Sequence, residues 1–183
     1  MKALILNGSP RQGNIKTAVA ALEEGIKAAN ADIEVETVRL YDYQIKPCYA
    51  CDRCVVDGEK VGCQVDPVSK ELTDKFLAAD VVVYGVPVYW WGMPAQMKMF
   101  LDKYYGIEGK MAGKKIGAIV IGGSEITHNQ YNLIQAQFDE IAAYQGMEMI
   151  FYEKIYAWMP DELAQNEAEL EVIKGLGKVI AEQ

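Results

Sequence analysis

A short segment near the start of the chain, NGSPRQGN at residues 7–14, combines the residue types that bind an anion. It follows an apolar run and precedes a helical pattern, so the amides of residues 9–15 can converge at a helix N-terminus, where phosphate groups bind well. Gly8 allows the tight turn that this requires. The side chains that can hydrogen-bond such a group are those of Ser9, Arg11, Asn14 and Thr17. The segment therefore predicts a site for one phosphate monoester.

Two other nucleotide-binding motifs fail here on their spacing. A P-loop has Lys directly after its second glycine, but Asn14 and Ile15 separate Gly13 from Lys16. A dinucleotide fingerprint requires two further glycines at fixed intervals after Gly8, and this chain lacks them. The remaining alternative to a phosphate site is an ordinary strand-to-helix turn in which Asn14 caps the helix.

All four cysteines of the chain lie in one segment, CYACDRCVVDGEKVGC. The first three have two residues between neighbours, a spacing typical of thiolates that bind a [4Fe–4S] cluster. The fourth follows after eight residues, and the two glycines in that stretch allow the loop to fold back. Redox-labile thiols and zinc remain alternatives, although zinc usually takes cysteine pairs that lie further apart. The candidate ligands are Cys48, Cys51, Cys54 and Cys63.

Hydrophobic patterning predicts five strands that alternate with helices. The strands are predicted at residues 2–7, 33–40, 80–86, 115–123 and 147–158, and the helices at 14–29, 67–79, 94–105, 130–144 and from about Pro160. Near-continuous apolar strands are typical of a parallel sheet covered by helices on both faces. We therefore expect one α/β domain over residues 1–183, with a doubly wound five-stranded parallel sheet and the four-cysteine connection at about 46–66.

The carboxyl ends of the strands are where such sheets bind their ligands. Three predicted loops meet at that edge: NGSPRQGN, PVYWWGMP after the third strand and GGSEITHN after the fourth. By position alone, Gly122, Gly123 and Ser124 are expected to form a third wall of the site. His128, the only histidine, lies beside this loop, either near the ligand or in solvent.

Composition excludes several classes of partner. The net charge of -8 argues against nucleic acid and anionic membranes, which both attract clustered Lys and Arg. No apolar run approaches the ~20 residues of a membrane span, and no signal peptide precedes the first strand. Clustered cysteines without an export signal favour a metal site or redox chemistry over structural disulfides. We therefore expect a cytoplasmic protein.

The segments NGSPRQGN and PVYWWGMPAQMKMFLDK together resemble the flavodoxin-like NAD(P)H-dependent FMN reductases, and especially the branch that includes the iron–sulfur flavoproteins. The resemblance covers nearly the whole chain and implies a flavodoxin-like fold. It also implies that the first loop binds the FMN phosphate through Ser9, Arg11 and Asn14. The family usually has Thr where this chain has Ile15, so either the Ile15 amide alone or the Thr17 hydroxyl would make that contact.

The resemblance further implies that the second loop lines the flavin ring and the ribityl chain. The residues concerned are Pro87, Val88, Tyr89, Trp90, Trp91 and Gly92. Apolar and aromatic walls suit a flat isoalloxazine ring. The alternative for the three aromatic side chains is a packed or subunit-facing patch. Iron–sulfur flavoproteins carry a compact cysteine run in this same connection, which implies ligand roles for the four cysteines.

Three functions follow as hypotheses. The first is an FMN-dependent oxidoreductase that passes electrons from NAD(P)H to a small acceptor such as a quinone or a flavin, with no catalytic side chain. The alternative is an electron carrier with a [4Fe–4S] cluster, which would exchange electrons with a ferredoxin-like protein. A zinc-bound module without redox activity is a third idea. Family resemblance also predicts a homodimer or homotetramer.

Overall fold

Five parallel strands form the central sheet in a computed structural model that describes all 183 residues. The strands are β1 (Lys2–Asn7), β2 (Glu34–Arg39), β3 (Val81–Pro87), β4 (Lys115–Gly122) and β5 (Glu148–Tyr156), in the order β2-β1-β3-β4-β5. From β1 the chain runs first to one side and then to the other, so the strand order reverses between β1 and β3. Ligands of doubly wound sheets bind at this reversal.

Five helices cover both faces of the sheet. They are α1 (Asn14–Ala29), α2 (Pro67–Ala78), α3 (Ala95–Leu101), α4 (Asn129–Gln145) and α5 (Glu167–Ala181). Alternate residues of β1 belong to two separate apolar cores: Ala3 and Ile5 pack with α1 and α5, whereas Leu4 and Leu6 pack with α2, α3 and α4. The central strand β3 is buried along its whole length, as its apolar sequence requires.

The cysteine segment occupies the connection between β2 and α2. It contains a small antiparallel hairpin of two-residue strands, Val55–Val56 and Glu59–Lys60. The amide of Gly62 donates a 2.7 Å hydrogen bond to the carbonyl of Gly106. Gly106 belongs to a 3₁₀ segment, Asp102–Ile107, that continues α3. The connection is thereby fixed to the face of the sheet that carries α2 and α3.

The predicted elements are confirmed except at two places. The helix predicted over residues 94–105 is α-helical only to Leu101 and then tightens into the 3₁₀ segment. The prediction that the last helix begins near Pro160 is wrong, because α5 begins at Glu167. Asp161 has a left-handed φ of 63°, which interrupts a helix, and the Asn166 side chain accepts a hydrogen bond from the Glu169 amide as the true N-cap. None of the helices combines the length and hydropathy needed to cross a membrane.

Candidate active site

A cleft of about 560 Å³ opens at the carboxyl ends of the strands, where the strand order reverses. Four loops line it, one after each of β1, β3, β4 and β5. The lining residues are Ser9, Arg11–Ile15, Pro87–Tyr89, Ile121–Gly123 and Ala157–Asp161. Three of these loops are those that the sequence predicts. The structure thus brings most of the predicted site residues together.

The first loop is folded by its own side chains. The Asn7 carboxamide oxygen accepts a 2.9 Å hydrogen bond from the Ser9 amide, and the Ser9 hydroxyl oxygen accepts a 3.1 Å bond from the Arg11 amide. The Gly8 amide donates to the Gly85 carbonyl of β3, 2.9 Å away. A Cβ on Gly8 would lie 3.1 Å from that carbonyl oxygen, so the close approach of the two strands favours glycine here. The Ser9 hydroxyl proton stays available to a ligand.

Arg39, which the sequence does not indicate as a site residue, holds this loop by hydrogen bonds from outside the cleft. Its guanidinium donates to the carbonyls of Ser9 at 3.3 Å and Pro10 at 2.5 Å, and it also pairs with Asp42. No motif marks Arg39. It reaches the loop because β1 and β2 pair in register, with Asn7 opposite Arg39. The strand pairing alone could have revealed it.

The first loop presents unpaired hydrogen-bond donors to the cleft, beside the carboxylate of Asp161. Helix α1 starts there with no side-chain cap, so the amides of residues 14–16 have no acceptor within the helix and the positive end of the helix dipole faces the cleft. The exposed guanidinium of Arg11 forms no ion pair and no hydrogen bond. Together these donors suit a phosphate group.

The Asn14 side chain is already engaged within the protein. Its amide nitrogen donates a 2.9 Å bond to the Met159 carbonyl, and its oxygen accepts a 3.1 Å bond from the Leu163 amide. Asn14 therefore fixes the loop after β5 to the start of α1. Ile15 is buried, and Thr17 lies one turn along α1, outside the cleft lining.

The opposite wall of the cleft is mostly apolar. Pro87, Val88 and Tyr89 line it, and the Val88 amide donates a 2.8 Å bond to the Ile121 carbonyl. A Cβ built on Gly123 would lie 2.5 Å from a ring carbon of Trp158, so the indole rests directly on this glycine. Trp158 belongs to the loop after β5, whereas the sequence predicts it as the last residue of the fifth strand. Its position after the fifth parallel strand is the signal that could have identified it.

Several predicted residues lie outside the cleft lining. Trp90 and Trp91 form the tip of a two-residue turn, with Tyr89 and Gly92 bridged by backbone hydrogen bonds of 2.9 and 3.1 Å. Trp90 is 91% exposed. Ser124 also lies outside the lining, and its carbonyl accepts a 2.8 Å bond from the Tyr131 hydroxyl.

The four cysteines line a second, smaller pocket beside the 3₁₀ segment. None forms a disulfide. Burial raises the pKa of the Cys54 thiol. Cys54 packs against Gly106, because a Cβ built on Gly106 would lie 3.1 Å from the Cβ of Cys54. No three His, Cys, Asp or Glu side chains are grouped as they would be around a single metal ion. The predicted ligands therefore share one pocket without a preformed single-ion geometry.

Comparison with known proteins relates the chain to flavin-dependent reductases. Residues 1–151 match the NADPH-dependent FMN reductase family. An iron–sulfur flavoprotein of Methanocaldococcus jannaschii is 29% identical over 198 aligned residues, covering 100% of this chain and 96% of that protein. An FMN-dependent NADH:quinone oxidoreductase of Exiguobacterium sp. is 30% identical over 128 residues, covering 62% of this chain and 56% of that protein.

The solved structures agree on the fold. The NAD(P)H:quinone oxidoreductase from Methanothermobacter marburgensis superimposes with a TM-score of 0.76 at 17% identity, covering 98% of this chain and 96% of that one. At this identity the likeness establishes the architecture. It confirms the predicted α/β fold with its five-stranded parallel sheet.

Proposed function

Because the chain belongs to the NADPH-dependent FMN reductase family, we propose that its cleft holds FMN and that the protein is an FMN-dependent oxidoreductase. Electrons pass from NAD(P)H to a small acceptor such as a quinone or a flavin. The observation that carries this proposal is the division of the cleft into a loop rich in hydrogen-bond donors and an apolar wall. FMN is divided in the same way, because it has a phosphate monoester at one end and a flat, largely apolar ring system at the other.

The residues of the cleft fit FMN in their donor chemistry. The amides of residues 14–16, the Ser9 hydroxyl and the free Arg11 guanidinium would hold the phosphate. Pro87–Tyr89 and the wall that Trp158 forms over Gly123 would hold the ring. Bound FMN supplies the hydride and electron chemistry. The protein's part is to bind the cofactor, to orient it and to shape access to it, so no side chain is assigned as an acid or base.

The phosphate assignment is tested by substituting Arg11. Arg11→Ala removes a charge-assisted hydrogen bond, and water screens this exposed position, so we expect FMN affinity to fall by about 1.5–2 kcal/mol, roughly ten- to thirtyfold. The measurement is the Kd for FMN by fluorescence quenching. Lys110→Ala is the matched control, because Lys110 is an exposed cation outside the cleft lining. Equal affinities of Arg11→Ala and wild type would show that the phosphate binds elsewhere.

The second candidate function is an electron carrier with a [4Fe–4S] cluster and a ferredoxin-like partner. It is favoured by the four unpaired cysteines that line one pocket. Ala50 and Asp52, which lie between the first three cysteines, have φ of 50° and 54°. Where such left-handed residues alternate with right-handed ones, successive backbone amides point to one side of the chain and can bind an anionic group, as at many iron–sulfur sites. Anaerobic reconstitution with iron and sulfide should give a broad brown absorption beneath the flavin bands. A flavin spectrum without this brown absorption would contradict the electron-carrier function and would leave the oxidoreductase function.

We also propose that residues 1–183 act as one FMN-binding domain in the cytoplasm, as a homodimer or homotetramer. The four free cysteines suit a reducing compartment. Exposed apolar side chains at the rim of the cleft, namely those of Trp90, Trp158 and Met159, suit contact with another subunit. Light scattering coupled to size-exclusion chromatography measures the assembly. A monomer at micromolar concentration would contradict this part of the proposal.

A further inference from the structure

Asp161 is the one carboxylate that lines the cleft. Arg11 is the other charged side chain of the lining. The Asp161 carboxylate accepts no hydrogen bond and forms no ion pair within the protein, and only its backbone carbonyl is engaged, by the Ala164 amide at 3.1 Å. An ionised carboxylate accepts hydrogen bonds and donates none. A ligand that uses Asp161 must therefore bring a donor group to it.

The backbone around Asp161 is held in place by contacts on both sides. Asp161 has a φ of 63°, and it is the only residue of the cleft lining in the left-handed region, which is uncommon for residues other than glycine. The Asn14 side chain bonds to the Met159 carbonyl at 2.9 Å and to the Leu163 amide at 3.1 Å. These bonds lie before and after Asp161 in the chain. The loop therefore presents the carboxylate in a fixed backbone conformation.

Asp161 belongs to a loop that joins the two regions of the cleft. Its carboxylate oxygen Oδ1 lies 3.5 Å from the position that a Cβ on Gly13 would take, just before α1 begins. Earlier in the same loop, Trp158 covers Gly123. The loop after β5 thus runs from the wall proposed for the flavin ring to the loop proposed for the phosphate. In FMN these two ends are joined by the ribityl chain, whose carbons carry hydroxyl groups.

We propose that Asp161 accepts a hydrogen bond from a ribityl hydroxyl and thereby selects flavins that carry a polyol chain, an inference that rests on the proposed FMN-dependent function. A hydroxyl group is a suitable donor, because hydrogen bonds to an ionised oxygen are stronger than those between neutral groups. A phosphate dianion offers no donor. The carboxylate is exposed, so water screens its repulsion of the phosphate. Asp161 is thus a specificity residue for the chain between ring and phosphate.

The test measures the Kd of two flavins without phosphate by fluorescence quenching. Riboflavin keeps the ribityl chain, whereas lumiflavin has the ring alone. Asp161→Gly removes the carboxylate, and glycine adopts a φ of 63° without strain. We expect this variant to bind riboflavin roughly three- to tenfold more weakly than wild type and lumiflavin equally well.

Two further variants complete the comparison. Asp161→Asn keeps an oxygen acceptor without the charge, so it should lose less riboflavin affinity than Asp161→Gly. Asp32→Ala is the matched control, because Asp32 is an exposed carboxylate outside the cleft lining, and it should resemble wild type. With FMN, Asp161→Asn should bind more tightly than Asp161→Gly. Neither variant has the charge that repels the phosphate, so this comparison decides the proposal where riboflavin binds too weakly to measure.

The results that overturn the inference are distinguishable from failure of the proposed function. If wild type binds neither FMN nor riboflavin, the FMN-dependent function fails and the role of Asp161 fails with it. If wild type binds FMN and Asp161→Gly binds riboflavin as wild type does, only the role of Asp161 fails. Tighter FMN binding by both variants with unchanged riboflavin binding would show that the carboxylate only repels the phosphate. Equal losses of riboflavin and lumiflavin affinity would mean that Asp161 acts on the ring. Circular dichroism verifies the fold of each variant.

Discussion

The contact between Gly123 and Trp158 shows how single residues shape the cleft. The indole lies over a position where any side chain would collide with it, yet Trp158 is 69% exposed and free to move outward. The two residues belong to the loops that follow two different strands, β4 and β5. Their contact closes one wall of the proposed flavin site.

Gly123→Ala is therefore expected to disturb the site and to spare the fold. The new Cβ would lie 2.5 Å from the Trp158 ring and displace it. The exposed indole can move away and the backbone can keep its position, so Tm should stay near that of wild type. FMN affinity should fall roughly tenfold, about 1.4 kcal/mol, through loss of one wall.

The control for this substitution is Gly175→Ala. A Cβ on Gly175 of α5 meets nothing within 4 Å, so this variant should keep full FMN affinity and gain a little helix stability. An unchanged FMN affinity of Gly123→Ala would show that Trp158 is not part of the flavin wall. A large drop in its Tm would mean that the backbone absorbs the collision.

Single residues also show which features of the cleft can be predicted from the sequence and which cannot. The position of Ser9 and Arg11 at the cleft can be predicted, because a loop that follows a parallel strand lies at the carboxyl edge of the sheet. The position of Arg39 cannot, since only the pairing of two strands brings it to the loop. Asn14 is correctly placed at the cleft, but its side chain bonds to residues almost 150 positions away in the chain. Such partners are set by tertiary packing, which no local pattern encodes.

Among the elements, the turn at Trp90 and Trp91 is the one with the clearest local strain. Their φ angles are 46° and 63°, the left-handed region that Asn and Gly favour in two-residue hairpin turns. Side chains other than these lose roughly 1–2 kcal/mol each in that region. The strain lies at the rim of the cleft, where such outliers accompany function.

Replacing the pair by Asn and Gly, as Trp90→Asn with Trp91→Gly, should stabilise the isolated protein. Relief of the backbone strain should add about 1–2 kcal/mol, which corresponds to a rise in Tm of about 2–4 °C per kcal/mol for a chain of this size. Little packing is lost, because Trp90 is 91% exposed and Trp91 49%. The measurement is thermal unfolding by circular dichroism.

The control is the double substitution Trp90→Phe with Trp91→Phe. It keeps the left-handed backbone strain and changes only the aromatic rings, so it should not raise Tm. A lower Tm for the Asn–Gly variant would contradict the prediction. It would indicate that the tryptophans make stabilising contacts in solution, as at a subunit interface.

The start of the last helix shows why one element was mispredicted. Proline favours the first turn of a helix, so Pro160 indicates a helix start. In the structure the amides of Trp158 and Met159 instead donate to the Glu162 carboxylate at 2.7 and 2.8 Å, and a short 3₁₀ turn, Glu162–Gln165, precedes α5. The loop after β5 thus remains free to line the cleft. The strands were easier to predict, because their buried apolar runs depend little on loop chemistry.

At the scale of the whole molecule, the fold places two candidate sites beside one sheet. The cleft lies at the reversal between β1 and β3, and the cysteine pocket lies beside the 3₁₀ segment that follows α3. The chain is acidic overall, so binding of an anion in the cleft depends on local donors, namely Arg11 and the N-terminus of α1. A diffuse surface charge does not prevent such local anion binding.

The central claim is that this protein uses FMN to take electrons from NAD(P)H. Its most direct test is an anaerobic titration of the FMN-loaded protein with NADPH, and in parallel with NADH, followed at the visible flavin absorption. The claim predicts that at least one nicotinamide bleaches the flavin bands and that a quinone then restores them. If neither nicotinamide bleaches the bound flavin, the protein is not an NAD(P)H-dependent oxidoreductase.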